Sequence, residues 1–386
     1  MNILKKALAL ILVGIMVFSF SACHKKGEIA VTVKDGELLE EFTSATYLLA
    51  LMNADSEASS KVQEKWTEDK VDTSKMTLDD VYAAKIDNKS YTTWVRDRAK
   101  EMLVEYAASK LMCDKAEVKL DEEALKNAEN NAVYYWSYYG YSSIYEPNGV
   151  SYDTFKNATI YPLYSDAYFK HVYGEGGEKE IAAADILKAM DENFTIANVL
   201  EVDLSSKKDA EAKTIREKFN SYVSRLKKGA KFETIYNEYY EIKENTTTSS
   251  NTSSNTSSKV SSNTSSDTSS KAEEEKVLEP KDAYASLLGD EDTDYASDHF
   301  KTVKAMKKGE IKLIDDTKNK KITILIAGDM MSDEYWTENL NDVVMYLLKG
   351  DEFEKAMDEY EKTLDVDVDG GATKRFKVKN LYKYSE

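Results

Sequence analysis

The chain has 386 residues, 26 of them tyrosine, and a formal charge of −18 at pH 7. That length calls for two domains rather than one, and so acidic a balance argues against nucleic acid and anionic lipid as partners. Two cysteines and three scattered histidines (His24, His171 and His299) offer no zinc-ligand spacing, and with no phosphate loop, dinucleotide fingerprint or Ser-His-Asp set, no metal or cofactor is expected.

Lys5 and Lys6 precede an apolar run from Ala7 to Phe20, which Ser21, Ala22 and Cys23 close. The run is short for a membrane span and has the layout of a secretory signal. Small residues directly before a cysteine are the pattern of a lipoprotein signal. The expectation is that residues 1–22 are removed and that Cys23 carries lipid as the mature N-terminus, on the extracytoplasmic face of the cell membrane. Cys113 is then left without a disulfide partner, and its apolar helical surroundings predict a buried thiol.

Residues 23–28 read as a tether. From Ile29 an alternating strand runs to an Asp35-Gly36 turn, and a helix is predicted over 40–52. Apolar positions at helical spacing, among them Trp94, Ala99, Leu103, Ala107 and Leu111, predict a helix over 91–117. Another starts near Asp121 and runs into the tyrosine-rich stretch 134–139. Pro147-Asn148-Gly149 breaks the chain, and Ser151 is placed to cap a helix reaching Tyr173. Residues 29–175 therefore form a mainly helical domain. Tyr134, Tyr138, Tyr141 and Tyr145 share a helical spacing that predicts core for most of them. Tyr138, Tyr139 and Tyr141 are the candidates to line an aromatic groove.

A second unit, 176–330, follows the glycine-rich break at Gly174–Gly177. It is predicted to hold a helix over 181–192, a strand over 196–202, a long helix from 209 to 240 with a step at Gly229, a helix over 296–308, and strands over 310–314 and 321–327. Residues 245–271 are almost wholly Ser, Thr and Asn and too polar to pack, so they read as a disordered insert. The mixed order of elements predicts an α+β fold. Residues 331–386, with an amphipathic helix pair over 333–364, are expected to return to the first domain. Asp365-Val-Asp-Val-Asp-Gly370 begins like a calcium loop, but Phe376 stands where the bidentate Glu would be needed, and the alternating valines read as a strand.

Three segments together carry a family resemblance. Thr195–Glu201, then Val223–Tyr236, then Ala305–Ile311 with the strands after it, occur in the order of a parvulin-type peptidyl-prolyl isomerase domain. Trp94–Leu120 is similar to the N-terminal chaperone domain of the PrsA and SurA foldases. The resemblance implies a membrane-anchored extracytoplasmic foldase whose partners are unfolded or newly exported polypeptides, with a SurA-N-like helical domain, an inserted parvulin-like domain and a possible homodimer. One departure bears on activity. Where the family places histidines in the first and last strands, this chain has Asn198 and Thr323 (or its neighbour Ile322). The expectation is a degenerate, non-catalytic domain whose remaining pocket candidates are Asn198, Thr323 and Tyr239. Two alternatives stay open: an active isomerase with a rearranged pocket, and a structural envelope lipoprotein without client binding.

Overall fold

The computed structural model describes residues 28–241 and 278–382. The expected signal segment, Cys23 and the Ser/Thr/Asn-rich stretch therefore lie outside the described residues. The fold is α+β and divides into two compact units, one from residues up to 180 together with 349 onward, the other from 181 to 348.

The chain opens with strand β1, Ile29–Asp35, which turns at Gly36 (φ +62°) into β2, Leu38–Thr43. The positive φ costs glycine little, and it lets Asp35 sit directly across from Leu38 and Val33 across from Glu40. This hairpin corrects the helix expected from residue 40, because backbone pairing with β1 holds the chain extended until Thr43. There the Thr43 side chain accepts from the Thr46 amide and starts α1, Ser44–Glu68. After α2, Leu78–Ala83, and the small hairpin of β3 (Lys85–Ile86) and β4 (Lys89–Ser90), Ser90 caps the 26-residue α3, Tyr91–Ala116. The helix ends where Glu117 adopts a left-handed conformation and the Val118 amide reaches back to the Cys113 carbonyl. Next come α4, Glu122–Ser137, capped by Asp121; the one-turn α5, Tyr141–Tyr145; and α6, Tyr152–Tyr173, capped by Ser151.

The core of this unit lies where α1, α3 and α6 pack on one another and on β1. Leu51, Leu103, Leu111, Ala107 and Val95 are all completely buried. Each large aliphatic side chain among them contributes roughly 1.5–3 kcal/mol by leaving water. Cys113 is buried as expected, its thiol directed at the Tyr164 carbonyl 3.2 Å away, and burial pushes its pKa up to about 11. A thiol so protonated is inert at neutral pH.

The second unit begins with α7, Ala183–Asn193, and the ten-residue β5, Phe194–Asp203. α8, Asp209–Lys227, and α9, Phe232–Tyr239, are parted at Gly229 (φ +94°), where the sequence placed a step. Beyond residue 278 come β6, Ala285–Gly289; α10, Phe300–Lys304; β7, Ile311–Asp316; and β8, Lys321–Ala327. The four strands make one antiparallel sheet in the order β6-β5-β8-β7. Alternation along the strands gives it two faces. One presents Leu200, Val202, Ile322 and Ile324 to Phe219, Tyr222, Leu226 and Ile235 of α8 and α9. The other packs Ala197, Leu325 and Ala327 on Val303 of α10.

The return to the first unit lies later than the expected residue 331. The stretch through α11, Glu334–Asn339, stays with the sheet unit, where the buried Asp333 accepts from the Lys281 amide at 2.9 Å and Lys308 pairs with Asp329 at 3.0 Å. The division falls within α12, Asn341–Glu361, after Leu348. From there Phe353 packs edge-on against Phe169, and β9, Asp365–Val368, pairs antiparallel with β1, Val31 across from Val368. The acidic motif is thus a strand. Its last member, Asp369, spends its carboxylate on the amides of Gly371 and Ala372 and caps α13, Gly370–Lys374.

Candidate functional site

Two places hold the residues singled out from sequence, one in each unit. In the helical unit, α4 buries a single narrow stripe, Ala128, Ala132 and Trp136, at intervals of four residues. A helix that buries one stripe must show the opposite face to solvent. That face carries Val133, Tyr134 and Tyr135, and the chain beyond the helix end adds Tyr138 and Tyr139. They are exposed by 51, 47, 42, 75 and 58 %, respectively. The expectation that Tyr134 and Tyr138 are core is therefore overturned, because the spacing they share runs along the outer side of the helix. Tyr141 and Tyr145 are only partly exposed and lean on the inner layer, where Trp136, Phe155 and Tyr152 meet ring to ring.

The outer tyrosines also order one another. Tyr134 stacks on Tyr138 with centroids 5.0 Å apart and rings 9° from parallel, and Tyr135 stacks on Tyr139 at 5.5 Å and on Tyr141 at 5.8 Å. Gly140, at φ +74°, lets the chain turn back directly beneath them. At about 200 Å² per tyrosine, the four outer rings expose roughly 400 Å². A patch of that size lies within the range of the largest apolar patch on a typical monomer, which is often a functional one. Stacking also holds the side chains still, so binding to them sacrifices less rotamer entropy than binding to four independent rings. Of the three groove candidates, Tyr138 and Tyr139 stand on this shelf and Tyr141 forms its base.

The three pocket candidates of the sheet unit do not converge. Asn198, 7 % exposed, lies on β5 on the α8/α9 face, and its Nδ2 donates to the Asp282 carboxylate at 3.0 Å. Tyr239 packs on the core of that same face, edge-on to Phe219. Thr323 lies on the other face, across from Glu201, and its hydroxyl donates to Glu201 Oε2 at 2.9 Å. A side chain at position 322 does share the face of Asn198, but it is isoleucine, and the residue directly across from Asn198 is Ile326. Asn198 therefore looks across the sheet at an alkyl group.

Thr323 belongs instead to a polar cluster that sequence reasoning missed. Glu201 Oε1 accepts from Lys321 at 2.8 Å, while Oε2 lies 2.7 Å from His299 Nε2. Burial raises the Glu201 pKa, but the hydrogen bonds from Lys321, His299 and Thr323 outweigh it and hold the carboxyl below its usual range. His299 is drawn in by this carboxylate from 98 residues away. No spacing signal joins two residues so far apart. In this cluster the threonine hydroxyl donates to the carboxylate and not to the imidazole, which is not the hydroxyl-to-imidazole arrangement of a catalytic triad. It ties β5, β8 and the start of α10 together.

Among the described residues, no helix is long and apolar enough to cross a membrane. In comparisons with known proteins, no family model matches the chain and no curated protein is similar to it.

Proposed function

We propose that this chain is a membrane-anchored extracytoplasmic chaperone or foldase for exported polypeptides, and that its sheet unit is a parvulin-like domain without isomerase activity. The observation that carries the reading is the tyrosine shelf. Rigid aromatic rings on a helix end offer large amphipathic area to any extended apolar segment, without demanding a particular sequence. The acidic charge keeps copies of the chaperone apart while clients are held.

Two further observations support the sheet-unit half of the reading. The three segments that resemble a parvulin-type domain fall on β5, on α8 with α9, and on the approach to β7, all within one compact unit. Rotating a prolyl bond has to overcome about 18–20 kcal/mol, and a catalyst does so by favouring the twisted amide. Asn198, committed to Asp282 and facing Ile326, offers that amide no polar pair.

The test is suppression of aggregation of a chemically unfolded protein, followed by light scattering with and without the chain. The wild type is expected to suppress it in proportion to its concentration, and the variant with Tyr134, Tyr135, Tyr138 and Tyr139 all changed to Ser to lose most of that effect. Equal protection by the two would remove the shelf from the mechanism, and no protection by a folded wild type would leave a structural lipoprotein.

A further inference from the structure

Residue 28, where the described chain begins, is pinned by two contacts. The Ser44 amide donates to the Glu28 carbonyl at 2.8 Å, and Arg375 Nη1 holds the Glu28 carboxylate at 2.7 Å, while Nη2 of the same guanidinium reaches the Ser44 hydroxyl. Arg375 stands in a run that departs from the charge of the rest of the protein: Lys374, Arg375, Lys377 and Lys379 fall within six residues with no acidic residue between them. All four are exposed. The run is also rigidly placed. Asp369 bonds to Ala30 and caps the helix ahead of it, Arg96 Nη2 reaches the Phe376 carbonyl, and Val378 and Leu381 are buried. Among the described residues, Arg375 of this run pairs with Glu28, and Lys379 Nζ lies over the Tyr82 ring, 5.7 Å from its centroid.

From these contacts we infer that the Lys374–Lys379 run is a membrane-facing surface that lies on anionic lipid headgroups beside the anchor. The inference rests on the anchored reading above, in which Cys23 holds the lipid. Glu28 is five residues on from Cys23, a reach of at most about 18 Å when fully extended. Glu28 in turn sits against Arg375, so the lysines flanking it are held near the bilayer surface, within one to two screening lengths of about 10 Å. A net charge of −18 spread over the chain is repelled by an anionic bilayer. A local basic run next to the anchor turns this side of the helical unit toward the membrane. Each lysine in contact with anionic headgroups favours the bound orientation by about fivefold.

The experiment uses the full chain as processed in cells and reconstituted on vesicles of phosphatidylcholine alone, or with three-tenths phosphatidylglycerol. Amine-reactive labelling is read peptide by peptide by mass spectrometry at low and high salt. Labelling of Lys374, Lys377 and Lys379 is expected to fall about fivefold on the anionic vesicles at low salt, and to recover at high salt and on neutral vesicles. The variant K374Q/K377Q/K379Q is expected to lose the protection that the anionic vesicles give a label placed at Asn380→Cys. Labelling that is the same on both vesicle types overturns the inference. The mass of the N-terminal peptide in the same digest reports separately whether Cys23 carries lipid, so an unlipidated Cys23 counts against the anchored reading, while a lipidated chain with unprotected lysines counts against this surface alone.

Discussion

Asp55→Asn isolates one titration inside the helical unit. Asp55 lies on α1, 6 % exposed, and its carboxylate accepts from the Tyr91 hydroxyl at 3.0 Å, which is also 2.9 Å from the Asp55 carbonyl. Burial raises its pKa from an ordinary 3.8 to about 6, against the smaller opposing effect of the Tyr91 hydrogen bond. A carboxyl with a raised folded pKa holds its proton more tightly in the folded state. Its contribution to stability is therefore complete below about pH 4 and is lost as pH rises through about 6. A gap of about two pK units corresponds to about 3 kcal/mol at most. The asparagine oxygen can still accept from Tyr91 but carries no charge to desolvate. Urea unfolding is followed by fluorescence of Trp66, Trp94 and Trp136, all in this unit. Between pH 4 and pH 7.5 the wild type should lose about 2–3 kcal/mol relative to the variant. Glu361, which burial and its neighbours Glu105 and Asp358 push up to about 7, adds a slope of the same sign to both proteins and cancels in the difference. A difference that stays constant with pH, whatever its size, would refute the assignment of a buried, weakly solvated carboxyl to Asp55.

Glu201→Gln should destabilise the sheet unit by about 1–3 kcal/mol, because it leaves Lys321, His299 and Thr323 facing a neutral amide in place of a carboxylate; chemical unfolding read from Trp336 measures it. Because the Glu201 pKa is depressed on folding, the wild-type advantage should be present near neutral pH and shrink as pH falls below the usual glutamate range. Gly328→Ala places a Cβ 2.5 Å from Ile196 Cγ1, next to the Gly328 amide's bond to the Ile196 carbonyl, and should cost about 1–3 kcal/mol by the same readout. In a protease-coupled assay on a proline tetrapeptide, neither the wild type nor Asn198→His should accelerate isomerisation, since the histidine would still face Ile326; a wild-type rate in the range of active parvulins would contradict the degenerate reading.

Elements with strong local signals were legible in the sequence. The α3 and α6 helices start at Ser90 and Ser151 because a side-chain oxygen there meets the first free amides, and the β5 and β8 strands are apolar enough to be buried on both faces. What the sequence hid was pairing at a distance. Leu38–Thr43 lacks a clean alternation, and only β1, itself paired with β9 from the far end of the chain, makes it a strand. The tyrosines misled in another way. Their spacing was helical, but periodicity alone does not say which side of a helix is inward, and the small Ala128 and Ala132 beside Trp136 decided it. In the sheet, alternation gave Asn198 and Thr323 opposite faces, a consequence of a register that no motif in either strand announces.

The aggregation assay comes closest to the central claim, that ordered surface tyrosines hold unfolded chains. The account predicts concentration-dependent protection by the wild type, its loss when Tyr134, Tyr135, Tyr138 and Tyr139 become serine, and an unchanged unfolding midpoint, because these rings lie outside the buried stripe of α4. Full protection by a folded four-tyrosine variant would contradict it.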